Sequence, residues 1–299
     1  MKNEKYLIRL LFLLYMMRMF SGTIVAQEDL LSMLEEDNDQ LFTAAIFKTS
    51  RIINGHSIEN TPKSILDIKI SHRFGFIENG LYDLFGLDGA TIRIGADYGV
   101  SDRLTIGGGR SSLEKTYDVY AKYQILRQSI GPKSIPFGMS YVATAAIQTL
   151  KFVDPEASNL FRSRLYYTHQ ILIARKFSEG FSLQITPSVV HRNWVATQEE
   201  AHDVFSLGIG GRQKLSKRVS INLEYFYTPG GQLVDRYRNG FSVGLDIETG
   251  GHVFQLHFTN STSMIEKGFI AETTGDWTNG GVHFGFNISR VFALGTPTK

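Results

Sequence analysis

With 299 residues, the chain is long enough for one large all-β domain or for two ordinary domains. Its net charge of +2, with both signs mixed along the chain, leaves no basic block, so no nucleic-acid partner is expected. The absence of cysteine excludes disulfides, thiolate metal sites, a cysteine nucleophile and lipid attachment at a cysteine. The 29 glycines, 21 phenylalanines and 13 tyrosines favour strands over long helices.

The first residues have the three parts of an export signal. Lys2, Lys5 and Arg9 form a positive region, residues 10–17 a short apolar core, and residues 24–26 a small-residue exit. Residues 1–26 are therefore predicted to be a signal peptide, cleaved after about Ala26. The apolar run is too short for a spanning helix, and the rest of the sequence offers none, so any membrane crossing must use strands.

Residues 27–63 are predicted to form an N-terminal periplasmic segment. Within it, residues 43–53 have a strand-like pattern, and residues 54–63 form a loop that carries an Asn-Gly turn signal. One additional strand would break the even strand number of bacterial barrels. Residues 43–53 are therefore interpreted as a periplasmic or lumenal segment, unless residues 269–273 also span.

From Ser64 onward, apolar and polar residues alternate with a period of two, which predicts β-strands. The pattern is clearest in residues 204–260, where four such segments follow one another. Short links alternate with long polar links, as in outer-membrane barrels with short periplasmic turns and long outer loops. The predicted fold class is all-β: an antiparallel up-and-down transmembrane β-barrel of about 12 strands over residues 64–294, with a tail at 295–299. Fourteen strands are the alternative count.

A soluble sandwich would show the same alternation, with its polar face in water. Three features favour the membrane barrel: the strands stay long, aromatic residues lie near strand ends, and charge is scarce on the apolar face. A lysine or arginine facing lipid at mid-bilayer would cost about 2–4 kcal/mol. Arg175 falls on the apolar face near a strand end, where its charged group can reach water, and His72 and His169 fall on the same face.

The polar face carries charged residues of both signs, and we predict that these line the lumen. They are Asp67, Lys69, Arg73, Arg93, Asp97, Lys122, Glu224, Asp246 and Glu248. A barrel of twelve strands has an interior between that of a filled eight-stranded barrel and an open porin. The charges can either pair across the lumen and close it, or line a narrow water-filled path. Unpaired burial is excluded by its cost.

No sequence motif points to catalysis, a cofactor or a metal. Residues 107–110 have the glycines of a phosphate-binding loop but lack its Lys-Ser/Thr pair. The eight histidines show no paired metal-binding spacing. The one enzyme arrangement to consider places His169 on the lipid-facing side with a serine on a neighbouring strand, as in a lipid-facing hydrolase. The prediction is a protein that is not an enzyme and binds no cofactor.

Four blocks carry a family resemblance: AAIFKTSRIINGHSIEN, DIKISHRFG, FGLDGATIRIGADYGVSDRLTIGGGRSS and KTYDVYAKY. Together they resemble outer-membrane β-barrels of the Bacteroidetes type that form a domain of unknown function. The resemblance covers nearly all of the mature chain and implies the barrel and the outer membrane, but no substrate or catalytic residue. The chain departs from the general barrel pattern in ending with GTPTK, whereas the barrel-assembly machinery usually reads a C-terminal aromatic residue.

The favoured hypothesis is a narrow channel or facilitator for a small polar solute, with outer-membrane lipid around it. The alternative is a structural or adhesive barrel with a closed lumen that binds a partner through outer loops such as residues 229–239. The lipid-facing hydrolase is the third hypothesis.

Overall fold

The alternating segments form a closed antiparallel barrel in the computed structural model, which describes residues 40–151 and 160–294. Except for Gln40, these residues belong to one compact unit, Leu41–Lys299. Their strands, in chain order, are β1 (Leu41–Phe42), β2 (Ile65–Phe76), β3 (Ala90–Ser101), β4 (Leu104–Ser111), β5 (Thr116–Leu126), β6 (Ser129–Ile130), β7 (Gly138–Gln148), β8 (Leu165–Lys176), β9 (Phe181–Arg192), β10 (Asp203–Lys214), β11 (Val219–Tyr227), β12 (Gly240–Thr249), β13 (His252–Thr259) and β14 (His283–Ala293).

Each barrel strand pairs with the next in the chain, and β14 pairs with β2 to close the ring. The ring contains all described strands except β1 and β6, which pair only with each other. The predicted fold class and the count of twelve strands are therefore confirmed. The one described α-helix, α1, spans Glu266–Ala271, and short 3₁₀ helices occupy Ile77–Asp83, Leu113–Lys115 and Phe161–Arg164.

The barrel is apolar outside and polar inside, the reverse of a soluble sandwich. On β3, for example, the outward Ile94 is 55% exposed, whereas the inward Arg93 is 5% exposed. Because successive side chains of a strand point to opposite faces, inner and outer residues alternate along the barrel strands. The inner face is polar except for a patch that includes Val142, Leu172 and Ala174. No helix within residues 40–151 and 160–294 has the length and apolar character needed to cross a membrane.

The two ends of the barrel differ in the length of their links. The links at residues 102–103, 177–180, 215–218 and 250–251 lie at one end, which we call the short-link end. The links at residues 77–89, 193–202, 228–239 and 260–282 lie at the other, the long-loop end. The predicted alternation of short and long links is thus observed with two exceptions. The four-residue link 112–115 is short at the long-loop end, and the link 127–137, which contains β6, is longer at the short-link end.

The strand-like pattern of residues 43–53 was misleading. These residues form bends, with an isolated bridge between Arg51 and His56, and the one strand within residues 40–64 is the two-residue β1. Residues 43–63 lie inside the barrel. Of the two predicted locations for this segment, the lumenal one is therefore observed and the periplasmic one is not. Residues 269–273 do not span, because α1 ends among them and is buried in the barrel mouth. The predicted signal peptide, residues 27–39 and the tail 295–299 lie outside the described residues.

Candidate functional site, a hairpin inside the barrel

Residues 43–63 enter the lumen from the short-link end, turn, and return to it. The Thr43 N–H donates to the Gln128 carbonyl at 2.8 Å, and Lys63 bridges to Gly99 before β2 begins. The turn is closed by the Ile52 N–H, which donates to the Gly55 carbonyl at 2.8 Å. The Asn-Gly pair therefore stands at the tip. We call residues 43–63 the lumen hairpin.

The tip of the lumen hairpin is bound by one carboxylate of the wall. Glu224, on β11, accepts hydrogen bonds from the backbone N–H groups of Gly55 at 2.9 Å, Asn54 at 3.1 Å and Ile53 at 3.3 Å. Glu224 is 3% exposed. Hydrogen bonds to an ionised acceptor are roughly twice as strong as neutral ones. A single wall residue thus satisfies three consecutive donors that have no strand partner.

The side chain of Asn54 connects the tip to three other strands. Its Oδ1 accepts a hydrogen bond from Arg73 Nη2 at 2.6 Å. Its Nδ2 donates to Ser242 Oγ at 2.9 Å and to Thr259 Oγ1 at 3.4 Å. With β2, β12 and β13 all bonded to one side chain, the position of the tip across the lumen is fixed.

Wall side chains also satisfy the carbonyl groups of the hairpin. The bonds are Gln255 Nε2 to the Ile52 carbonyl at 2.6 Å, Gln184 Nε2 to His56 at 2.7 Å, Asn287 Nδ2 to Ile53 at 3.1 Å and Lys122 Nζ to Ser57 at 3.1 Å. A buried backbone outside a sheet must find such partners. The amide and charged residues of the inner wall supply them.

The hairpin also carries an apolar cluster that packs on an apolar part of the wall. Ile46, Phe47, Ile52, Ile53 and Ile58 pack with Tyr120, Val142, Leu172 and Ala174. A glycine makes room for the tip, because a Cβ atom at Gly210 would lie 2.3 Å from Ile52 Cδ1. The hairpin is therefore fitted to this wall and does more than occupy the lumen loosely.

All nine charged residues predicted from the sequence lie on the inner face. Eight are buried, and Glu248 lies half-exposed at the short-link end, where it pairs with Lys48 of the hairpin. Lys69 pairs with Asp97 and, at 3.2 Å, with Asp67, while Asp246 accepts from Gln255 at 2.6 Å. Arg73, Lys122 and Glu224 bind the hairpin directly. Their part in solute passage stays a prediction.

The sequence prediction omitted further inner charges that the same alternation indicates. Asp118, on β5, pairs with Arg93, whose Nε donates to Asp118 Oδ1 at 2.8 Å. Arg212, on β10, donates to the hairpin carbonyls of Ala45 and Ile46, both at 3.4 Å. Both residues fall on the polar face of their strands, so the period of two was sufficient to find them.

A second element closes the lumen at the long-loop end. Every residue of α1 is buried, and the Phe269 ring packs against Phe226 of the wall with centroids 5.0 Å apart. Glu266 Oε1 accepts from Arg51 of the hairpin at 2.6 Å and lies 3.2 Å from His56 Nε2. Burial alone would raise the pKa of Glu266, but Arg51 and the His56 contact outweigh it and hold that pKa below its ordinary value.

The outer face gives the proposed hydrolase no nucleophile next to its histidine. His169 is exposed on β8, and its Nδ1 is 2.6 Å from the Tyr141 hydroxyl. Its direct neighbours on the adjoining strands are Ala143 and Val189, neither of which is a serine. The other outer histidine, His72, stacks on Phe286 with ring centroids 5.0 Å apart. Within the described ranges, no three His, Asp or Glu side chains are grouped to hold a metal ion.

A family profile described as "Membrane bound beta barrel domain (DUF5777)" matches residues 47–292. The chain belongs to this family. The match begins inside the lumen hairpin, so the hairpin is part of the family's domain and not an addition to it. The protein is thus a membrane-bound β-barrel of the outer-membrane type, and its apolar outer face is the face toward lipid.

Among solved structures, the barrel is similar to a NanC porin, with a TM-score of 0.47 and 8% identity over 76% of this chain and 98% of that one. The outer membrane channel COG4313 from Pseudomonas putida F1 gives a TM-score of 0.46 and 13% identity over 79% of this chain and 98% of that one. A KdgM porin gives a TM-score of 0.45 and 10% identity over 76% of this chain and 99% of that one. No curated protein matches the sequence.

Proposed function

We propose that this membrane-bound β-barrel is a channel for a small polar solute, closed at rest by its own lumen hairpin. The observation that carries the proposal is the polar inner wall, which keeps charged residues such as Lys69, Arg93 and Glu224 buried under the hairpin. Well-packed apolar residues are often as stabilising as buried ion pairs, or more so. The hairpin backbone uses part of this polar wall, but the Arg93–Asp118 pair joins two wall strands, and a path that holds water accounts for such a pair.

The closed state dominates at rest. Burying an apolar side chain of this size stabilises by about 1.5–3 kcal/mol, and the hairpin buries five of them, Ile46, Phe47, Ile52, Ile53 and Ile58. These contacts, and the hydrogen bonds of the tip, are lost when the hairpin leaves the lumen, which favours the docked state. Opening therefore requires an input at the hairpin, such as a solute or a field that acts on its charged and polar contacts.

The closed interior also favours a second candidate, a structural or adhesive barrel that binds a partner through its outer loops. In that case the hairpin never leaves, and the function lies in loops such as residues 228–239. Shortening this loop would then abolish partner binding without changing permeability. The two candidates differ in whether the full-length protein ever conducts.

A disulfide between the hairpin and the wall tests the proposal, because the chain has no cysteine of its own. A Cβ at Gly210 would lie 3.6 Å from both Ile52 Cγ1 and Cγ2, so Ile52→Cys with Gly210→Cys suits a disulfide. In planar bilayers under rising voltage, we expect the reduced protein to show openings and the oxidised protein none.

The single variant Ile52→Cys, treated with the same oxidant, is the control and should open in both conditions. Equal currents from the oxidised and reduced double variants would show that conduction does not need the hairpin to move. Silence of both forms at every voltage, with every small solute supplied, would support the structural barrel instead.

A further inference from the structure

A small cavity lies inside the barrel beside the hairpin tip. The volume open to the centre of a water molecule is about 30 Å³. Four cationic residues line it: Arg51 from the hairpin, Lys69 and Arg73 from β2, and Arg93 from β3. Among the described residues around it, none is Asp or Glu, and the remaining polar ones are serine, threonine, asparagine and glutamine.

Arg73 differs from the other three cations. Lys69 pairs with Asp97, Arg93 with Asp118 and Arg51 with Glu266. Arg73 is 1% exposed, and no carboxylate of the described chain lies within ion-pair distance of it.

The oxygens that Arg73 does reach are neutral. They are Asn54 Oδ1 at 2.6 Å, the His72 carbonyl at 3.0 Å and Asn287 Oδ1 at 3.4 Å, and the Nε of Arg73 has no hydrogen-bond partner. Burial of an ionised group is costly unless the charge is paired.

A second unsatisfied side chain lies beside Arg73. A Cβ placed at Gly285 would be 2.5 Å from His257 Nε2 and 2.9 Å from Arg73 Cδ, so the two side chains share the space over this glycine. His257 is 1% exposed, and its ring nitrogens have at most the backbone of Gln255 as a hydrogen-bond partner. Buried polar groups without a protein partner are generally satisfied by water or an ion.

We propose that this cavity binds a small monovalent anion, of the size of chloride or formate, with Arg73 as its principal ligand. A water needs about 10–15 Å³ on this measure of volume, so the space holds about two water-sized bodies. That suits a halide or a formate but not a phosphate or a sulfate. The guanidinium group binds such anions through charge-assisted N–H donors. The site exists with the hairpin docked, so it stands whether or not the hairpin ever moves.

Crystals of the full chain soaked in sodium bromide give a direct test by anomalous scattering. We expect a bromide peak within hydrogen-bonding distance of the Arg73 guanidinium, and no peak there in Arg73→Gln. Arg73→Lys keeps the charge but has fewer N–H donors, so it should show a weaker bromide peak. This variant replaces Arg73→Gln in the test if Arg73→Gln does not fold. An empty cavity in the full chain, or a peak that survives in Arg73→Gln, overturns the proposal.

Thermal unfolding in detergent tests the same site in solution. Chloride or formate at about a hundred times its dissociation constant should favour the folded state about a hundredfold. The matched control is Arg212→Gln, which removes another buried cation of the inner wall that does not line the cavity. Anion-dependent stabilisation should persist in Arg212→Gln and vanish in Arg73→Gln. An equal response of both variants would identify a general salt effect and contradict the site.

Discussion

At the scale of single residues, Glu224 is the wall residue that binds the most backbone groups of the hairpin tip. Its carboxylate accepts from three consecutive N–H groups, those of residues 53–55. A carboxylate has acceptor sites on both oxygens, so it can serve all three donors at once. A neutral amide in its place has one acceptor oxygen, and its NH₂ group would face donors.

Glu224→Gln should therefore loosen the tip and leave the barrel intact. Leaving buried donors unsatisfied costs about 1–3 kcal/mol each, and a net loss of about 2–3 kcal/mol corresponds to about 30- to 150-fold faster amide exchange at Asn54 and Gly55. Hydrogen exchange with mass spectrometry measures this directly.

Glu248→Gln is the matched control, because Glu248 is half-exposed and its carboxylate pairs with Lys48 at the short-link end. An exposed pair contributes about 0–1 kcal/mol, so exchange at the tip should change by less than about fivefold. Equal exchange rates in Glu224→Gln and the unsubstituted chain would show that the carboxylate does not hold the tip.

At the scale of elements, the lumen hairpin and α1 close the barrel from opposite ends and meet at one buried ion pair. The Arg51 side chain is 12% exposed and that of Glu266 is 1% exposed. Arg51 Nη1 also donates to the Asn54 carbonyl at 2.9 Å, so the pair supports the tip as well as α1. A change at the long-loop end can therefore reach the hairpin through this contact.

A double-mutant cycle on Arg51→Met and Glu266→Met should measure that coupling. Each single change leaves a buried charge without its partner and should cost about 3–5 kcal/mol in the free energy of unfolding. The double variant should cost less than the sum, because both charges are gone. Denaturant unfolding of the four proteins gives the values, and strictly additive costs would mean that the hairpin and α1 are not coupled.

The barrel strands could be predicted because their sequence signal is local. On β10, Phe205, Leu207 and Ile209 alternate with Ser206 and glycines. An alternation with a period of two shows which face of the strand each residue lies on. The same alternation located the inner charges. It could not state which charges meet, since Lys69 and Asp97 are brought together by strand register, which the turns determine.

The two closing elements could not be recognised in the same way. Residues 43–53 alternate like a strand, but their backbone groups bond to side chains of the wall such as Gln255 and Glu224. The alternation is therefore not accompanied by pairing with a neighbouring strand. The six residues of α1 are too few to show a helical period. The pair of Arg51 with Glu266 joins residues 215 positions apart, and no local signal connects them.

At the scale of the whole molecule, the closed ring of strands predicts resistance to detergent. Every strand of the barrel has two hydrogen-bonded neighbours, so there is no edge at which unfolding can begin. Unboiled protein extracted from outer membranes should migrate as a compact species on a detergent gel and shift to its full apparent mass after boiling. Identical migration before and after boiling would contradict the closed membrane barrel.

The central claim is that the lumen of this barrel is closed by residues 43–63, and single-channel recording of a hairpin-deleted protein tests it most directly. Residues 47–58 would be replaced by a short Gly-Ser linker, which can join the two arms because Glu59 Oε1 accepts from the Ile46 N–H at 2.7 Å. Because α1 closes the long-loop end, Glu266–Ala271 would be replaced by the same linker in both proteins that are compared. We predict a steady, voltage-independent current when the hairpin is deleted as well and a closed baseline when it is kept. Equal conductance of the two proteins would contradict the claim.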